Sequence, residues 1–268
     1  MKPVVGRHAG RHAVVTGAGT GIGRAIALRL AAEGAHVALL GRTGSTLEET
    51  AAAGADAPGA LAAFPCDVRD AASTSAAIAA AAERFGPVHC AVANAGVGGP
   101  NGPDAQAEGE PDRFDDLVAT NLGGTYHTFR GALAHFAEDG GPRRDLVAVA
   151  SVLARIGVAG YTGYCASKTG VTGLVRAFAA ELAPRGVQVN AVAPGWVDTE
   201  MAWEGIDGFA AALGTTREGA LQEAMKAVPL GRMGAPEEVA GLIAWLVSDD
   251  AAGVTGQTLD VNCGSYMS

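Results

Sequence analysis

One alternation runs along almost the whole chain: a short apolar run rich in strand-forming residues, then a longer alanine-rich stretch with helical spacing. The apolar runs are His12–Thr16, His36–Leu40, Leu61–Phe64, Val88–Ala93, Leu146–Ala150, Val187–Val192 and Thr258–Val261. Helical patterns lie near 22–33, 44–53, 70–85, 112–136, 162–183 and 236–248. A run that is apolar at successive positions, not only alternate ones, belongs to a strand covered on both faces. Parallel neighbours need a crossover segment, and crossovers are right-handed. The expected fold is therefore α/β: a Rossmann-type doubly wound parallel sheet of about seven strands. In "APEEVAGLIAWLV", Pro236 and the acidic pair Glu237 and Glu238 mark a helix start, where a missing N–H and negative charge are both favoured.

No linker, repeat or composition break divides the 268 residues, so residues 1–268 read as a single domain. The segment 196–230 is a long excursion between the sixth strand and the last helix, where such folds place ligand-covering loops. It is expected to form a helical substrate lid.

A formal net charge of −9 argues against a protein that coats nucleic acid or an anionic membrane. The basic start "MKPVVGRHAGRHAVV" is followed by "TGAGTGIG", not by a signal-length apolar run, and no stretch reaches membrane-spanning length. Cys66, Cys90, Cys165 and Cys263 are scattered and the histidines form no ligand cluster, so neither metal nor disulfide is expected. A reducing cytoplasm fits this pattern.

Two patterns carry chemistry. The first is "AVVTGAGTGIGRAIALRL", in which Gly17, Gly21 and Gly23 stand between a strand and a helix, with Thr20 and Ile22 in the same turn. Glycine lets the backbone approach a pyrophosphate closely, and the helix N-terminus supplies free N–H groups and positive potential. This makes 1–268 a dinucleotide-binding catalytic domain in expectation. The second strand ends at Gly41 followed by Arg42. With no carboxylate there to repel a ribose 2′-phosphate and a guanidinium to bind it, NADP(H) is favoured over NAD(H).

The second pattern is "YTGYCASK". Tyr164 and Lys168 are four apart and share a helix face, whereas Tyr161 has no cation at that spacing and is assigned to the entrance. An ammonium about 4 Å from a phenol, at an effective dielectric near 20, is worth roughly 4 kcal/mol. That would lower a tyrosine pKa by about 3 units. Ser151, ending an apolar strand, has a hydroxyl able to stabilise charge on a substrate oxygen.

These motifs, in this order, resemble the short-chain dehydrogenase/reductase family from Val14 to about Asn262. The turn fits TGxxxGxG, and the resemblance extends to "CDV" at Cys66–Val68, "ANAG" at Ala93–Gly96, Asn121, Ser151, Tyr164-x-x-x-Lys168, "APGWVDTEM" and "VTGQTLDVN". Two positions depart from it: some NADP-using relatives have a basic residue where this chain has Thr20, and Ala93 replaces a second asparagine. The resemblance implies a catalytic set of Ser151, Tyr164, Lys168 and Asn121, the last holding a water that links the lysine to solvent. It implies adenine contacts from Asp67 and Val68, ribose contact near Asn94, and close passage at Gly96. Pro194, Gly195, Val197 and Thr199 would hold the nicotinamide carboxamide, and Tyr164 and Lys168 the ribose.

Within the family the pattern is similar to 3-oxoacyl-carrier-protein reductases and aromatic polyketide ketoreductases. The segment Ala202 to Ala227, 26 residues, and its "TTREGALQEAMKAVPLGRM" ending look like the latter. The resemblance implies reduction of a small-molecule ketone, free or carrier-bound, by an NADPH-dependent homotetramer. A dehydrogenase of a small alcohol, sugar or steroid is the alternative within the class, and a non-catalytic NADP sensor the alternative outside it. Trp196, Met201, Trp203 and Phe209 either cover a bulky substrate or pack the lid or an oligomer contact. Arg143, Arg144 and Arg155 are the candidate carrier-docking cations.

Overall fold

The computed structural model describes residues 2–101, 112–138 and 143–267. The strands β1 His12–Thr16, β2 His36–Gly41, β3 Leu61–Pro65, β4 Cys90–Ala93, β5 Arg144–Val149, β6 Val187–Pro194 and β7 Thr258–Val261 are joined through helices. They make a seven-stranded sheet in the order β3-β2-β1-β4-β5-β6-β7. Every neighbouring pair is parallel. The helices are α1 Gly21–Ala32, α2 Gly44–Ala53, α3 Ala71–Phe85, α4 Phe114–Val118, α5 Gly124–Leu133, α6 Thr162–Leu182, α7 Glu200–Leu213, α8 Arg217–Met225 and α9 Pro236–Leu246.

Burial explains why the strands read as unbroken apolar runs. Ala13, Val15, Val37 and Leu39 point into the layer filled by Ile26 and Leu30 of α1 and Ile243 and Leu246 of α9. Their neighbours Val14, Ala38 and Leu40 point into the opposite layer, against Ile78 of α3, Phe129 of α5 and Val171, Val175 and Phe178 of α6. A polar substitution on either face would be buried.

The helix expected over 112–136 is not continuous. Between α4 and α5 lies a π turn, Ala119–Gly123, that carries Asn121. The segment expected to form a lid folds as α7 and α8, capped by Thr199 and Thr216. Ile206, Ala210 and Ala220 form the lid's own small core, with Trp196, Trp203 and Phe209 packed against them. The aromatic side chains therefore fill the lid, and of the four apolar candidates only Met201 stands out as exposed.

The three arginines considered for carrier docking are committed elsewhere. Arg143 is bound to Asp145 and to the Leu246 carbonyl oxygen. Arg144, buried, holds the carbonyl oxygens of Ala137 and Arg185. Arg155 donates to the Thr258 carbonyl oxygen and lies 3.5 Å from Asp260. Arg144 begins β5 and Arg143 directly precedes it, at the edge of the sheet opposite the crevice. Their charge is spent inside the fold.

That same edge is closed by the N-terminal segment. His8 is buried, with Nε2 3.0 Å from the Ala244 carbonyl oxygen, an acceptor that requires the ring proton on Nε2. Glu33 lies 3.5 Å from the same nitrogen. Burial outweighs that carboxylate, and the His8 pKa falls from 6.5 to about 4. The folded state thus prefers the neutral ring: its stabilisation is complete above the unfolded pKa and is lost as pH falls from 6.5 towards 4. The loss is on the order of 3 kcal/mol. In unfolding experiments the stability difference between about pH 7 and pH 4 should shrink by a large part of that amount in His8→Gln.

Candidate active site

The sheet order reverses between β1 and β4, where a doubly wound sheet opens a crevice beyond its carboxyl ends. On one side lies the glycine turn. Gly17 has φ +65° and Gly21 +49°, the left-handed region that side chains disfavour. A Cβ on Gly23 would stand 2.0 Å from the Gly17 carbonyl oxygen and 2.5 Å from Asn94 Nδ2. The glycines let α1 start directly under β1. Thr20 gives α1 no side-chain cap and the first turn holds no acidic residue, so the leading N–H groups keep their donors and positive potential. This cradle fits a diphosphate, and a dinucleotide beyond it.

Asn94, expected beside a ribose, ties the turn together. Its Nδ2 donates to the carbonyl oxygens of Thr16 at 3.0 Å and Gly17 at 3.3 Å. Thr16 Oγ1 in turn accepts the N–H groups of Asn94 and Ala95. The ends of β1 and β4 are thereby locked side by side. Thr16, the threonine that opens the TGxxxGxG pattern, thus locks the two strand ends through its hydroxyl.

At the far side of this turn, Arg42 is exposed just beyond β2. Asp67 follows β3; Arg69 hydrogen-bonds its carboxylate and holds its pKa below the usual range. Val68 is buried against Gly124, where a Cβ would approach its Cγ2 to 2.6 Å. Pro194 ends β6, and Gly195 passes so close to Asn262 that a Cβ would lie 3.0 Å from that residue's own. Val197 is buried and pairs with Gly234. Thr199 caps α7 through the Ala202 N–H, and its methyl group lies 3.1 Å from where a Gly21 Cβ would be. The start of the lid therefore leans on the phosphate turn.

β5 and α6 bring the other group together. Ser151 follows β5 with Oγ accepting the Leu153 N–H at 3.2 Å, and its side chain stands near enough to the Tyr164 phenol to favour that phenol's ionised form. Lys168, one turn beyond Tyr164, is buried, with Nζ donating to the Val149 carbonyl oxygen at 2.9 Å. Nζ lies 5.7 Å from the centre of the Tyr164 ring. Asn121 is fully buried and bonds Val97 twice: Oδ1 accepts its N–H at 2.9 Å, and Nδ2 donates to its carbonyl oxygen at 3.1 Å. Nδ2 also donates to Ser167 Oγ at 3.0 Å. A Cβ on Gly96 would meet Asn121 Oδ1 at 3.0 Å and Lys168 Nζ at 3.4 Å, so the loop can pass between them only without one.

The electrostatics differ from the simple expectation of a lysine lowering a tyrosine. Burial pushes the Tyr164 phenol above its ordinary pKa, opposed in part by the Ser151 hydrogen bond. Burial also lowers the Lys168 ammonium to about 8. The ammonium has been drawn to Val149 and stands off the ring, so dehydration of each group dominates their mutual attraction. A protonated phenol beside a serine hydroxyl is suited to giving a proton to an oxygen anion. Tyr161, one residue ahead of α6, is half-buried and its phenol is likewise raised by burial. Met201 of the lid reaches to 3.1 Å from a Gly98 Cβ position, with Tyr164 Cε2 at 4.0 Å from the same point. Among the described residues no group of three His, Cys, Asp or Glu side chains is arranged to hold a metal ion, and no helix is long and apolar enough to cross a membrane.

A crevice of this shape defines a class of protein, and comparison with known proteins gives the same one. A family model described as enoyl-(acyl carrier protein) reductase matches residues 17–266. A protein of Streptomyces virginiae named as a ketoacyl reductase of the monensin polyketide synthase is 42% identical, over 95% of this chain and 96% of its own. The 3-oxoacyl-[acyl-carrier-protein] reductase FabG of Escherichia coli is 36% identical, over 96% and 98%. A solved variant of actinorhodin polyketide ketoreductase with NADPH superposes with a TM-score of 0.89 at 35% identity, covering 98% of this chain and all of that one (100%). The chain belongs to the short-chain dehydrogenase/reductase family, an oxidoreductase family whose members similar to it include reductases of ketoacyl groups.

The glycine turn gives a direct test. Gly23→Ala forces a methyl group into the Gly17 carbonyl oxygen, so α1 must move away from β1. Overpacking of this kind costs about 1 to 3 kcal/mol. The variant should melt lower than the parent protein in thermal unfolding.

Proposed function

We propose that this protein is an NADPH-dependent ketoreductase that reduces the ketone of a polyketide or a 3-oxoacyl thioester. The observation that carries the reading is the grouping of Ser151 after β5, Tyr164 in the first turn of α6 and the buried Lys168 ammonium, whose Nζ donates to Val149 and lies 5.7 Å from the centre of the Tyr164 ring. Two hydroxyl groups set near one another can both face one carbonyl oxygen. That favours carbonyl reduction over reduction of an isolated carbon–carbon double bond.

In this mechanism NADPH, when bound, supplies the hydride to the carbonyl carbon. Ser151 Oγ holds the substrate oxygen in place and stabilises the charge that grows on it. The Tyr164 phenol, kept protonated by its buried setting, passes its proton to that oxygen, which completes an alcohol. Lys168 has three donors, one of them engaged by Val149, and the others suit ribose hydroxyls. Its positive charge offsets the phenolate left behind. Asn121 fixes the loop at Val97 and stands beside Lys168, where it supports resupply of the proton. Gly17, Thr20, Gly21, Ile22 and Gly23 take the pyrophosphate, Arg42 the 2′-phosphate, and Asp67 and Val68 border the adenine. Asn94 and Gly96 shape the ribose site, and Pro194, Gly195, Val197 and Thr199 the nicotinamide site.

Support for NADP(H) comes from exposed Arg42 at the end of β2 and from the relative solved with NADPH. Support for a ketoacyl or polyketide substrate comes from the named relatives and from Met201, an exposed apolar side chain at the mouth. With Arg143, Arg144 and Arg155 committed elsewhere, a carrier protein would have to dock through other cations. Self-association is proposed through the α4–α5 and α6 side, where Phe114 and Tyr126 are exposed.

Two measurements test the reading. Tyr164→Phe should keep NADPH binding but lower ketone-reduction kcat by about 10² to 10⁴-fold, the range of one general acid. Turnover close to the parent value would overturn the assignment. Arg42→Asp should lower kcat/KM for NADPH about 10- to 100-fold while leaving NADH nearly unchanged, the worth of one charge-assisted hydrogen bond. An unchanged preference would remove Arg42 from the cofactor site.

A further inference from the structure

The helix that carries Tyr164 is capped by a residue from far outside its own sequence. Tyr161 occupies the N-cap position of α6 and offers no side-chain cap. The acceptor comes instead from Asn101, in the loop after β4: its Oδ1 accepts the Gly163 N–H at 2.8 Å and the Thr162 hydroxyl at 3.4 Å. Its own N–H donates to the Gly160 carbonyl oxygen at 2.7 Å, so the loop and the helix start are stitched in both directions. Its Nδ2 donates to Asp112 Oδ1 at 3.3 Å, and that oxygen also caps the first turn of α4 through the Phe114 N–H. The side chain is buried, only 6% of the residue being exposed. Gly163 completes the joint: a Cβ there would sit 3.0 Å from Leu117 Cδ1 and 3.2 Å from Asn101 Oδ1.

The bonded amide belongs to the residue immediately before Tyr164. From the structure we infer that Asn101 is a positioning residue for the reaction: by capping the first turn of α6 it sets the phenol of Tyr164 against Ser151 and at its distance from Lys168. The inference rests on the ketoreductase reading only for its kinetic consequence; the geometry stands without it. Asn101 acts through Tyr164 and touches neither Ser151 nor Lys168 among the contacts present. The chemistry suits the residue. An amide can accept from the helix and donate to Asp112 at once, whereas alanine can do neither and aspartate would set two carboxylates against each other.

Three variants test it: Asn101→Ala, Asn101→Asp, and the exchange N101D/D112N, which restores an acceptor for α6 and an amide–carboxylate pair with the roles reversed. The first readout is steady-state ketone reduction. Asn101→Ala and Asn101→Asp should lose about tenfold or more in kcat, a modest share of what a misplaced acid can cost, with the KM for NADPH within about twofold. N101D/D112N should recover most of the loss. The second readout is ultraviolet difference titration of the Tyr164 phenol in the protein without cofactor, taken against Tyr164→Phe. Because burial holds this phenol above its ordinary pKa, a loosened first turn should let it titrate closer to about 10 in Asn101→Ala.

Loss of kcat with an unmoved phenol would mean Asn101 acts only through general stability and would overturn the inference. So would a parental kcat in Asn101→Ala, or failure of the exchange to rescue. Should Asn101→Ala fold poorly, the exchange variant against Asn101→Asp gives the same comparison. A parent protein that reduces no ketone would sink the proposed function alone, since the phenol titration still reads the positioning.

Discussion

An ammonium group shut away from water controls the arrangement of the crevice. Lys168 Nζ donates to the Val149 carbonyl oxygen, the last of β5, and that bond fastens α6 to the sheet two residues before Ser151. Burial makes the charge costly, which is why its pKa falls to about 8. A group this expensive to hold is retained only where the surroundings are complete. Asn121 on one side and the bare α-carbon of Gly96 on the other close the shell. The π turn that interrupts α4 and α5 is what presents Asn121 inward. Such turns recur at functional sites because the extra residue re-aims a side chain that a regular helix would point elsewhere.

The rest of the fold delivers these groups to one edge. Four strands end side by side, and each leaves a different chemistry at its tip: the glycine turn after β1, Asn94 after β4, Ser151 after β5, Pro194 and Gly195 after β6. Thr16 and Asn94 lock the first two tips together, and Thr199 leans the lid on the turn. At the opposite edge the charged residues are turned to closing the molecule. Arg11 and Arg143 both bind Asp145, and His8 is held neutral beneath α9.

Much of this was legible in the residues, for reasons that also mark where legibility stopped. Strand order, the phosphate turn and the Tyr164–Lys168 face follow from periodicity and spacing, which are local. The break at Ala119–Gly123 was not readable, because "ATNLG" has no proline and its backbone is set by where Asn121 finds Val97 and Ser167. Spacing alone does not give the sign of the Tyr164 shift in the cofactor-free protein. Four residues along a helix give nearness, but not whether the ammonium faces the hydroxyl or a backbone oxygen, nor how dry each group is. Arg143 and Arg144 looked like surface charge because Asp145 and two carbonyl oxygens are needed to see them as internal. The sequence left the lid aromatics open between substrate cover and packing, because their partners Ile206, Ala210 and Ala220 carry no signal of their own.

Burial keeps the Tyr164 phenol protonated for proton donation, and a cationic dinucleotide in the crevice would draw its pKa down. Titrating the Tyr164 phenol with and without saturating NADP⁺, using Tyr164→Phe as the blank, tests this most directly. The expected result is a phenol above its ordinary pKa of about 10 in the free protein that drops by at least about one unit once the cationic cofactor is bound. A phenol that ionises at the same pH in both states would contradict the claim.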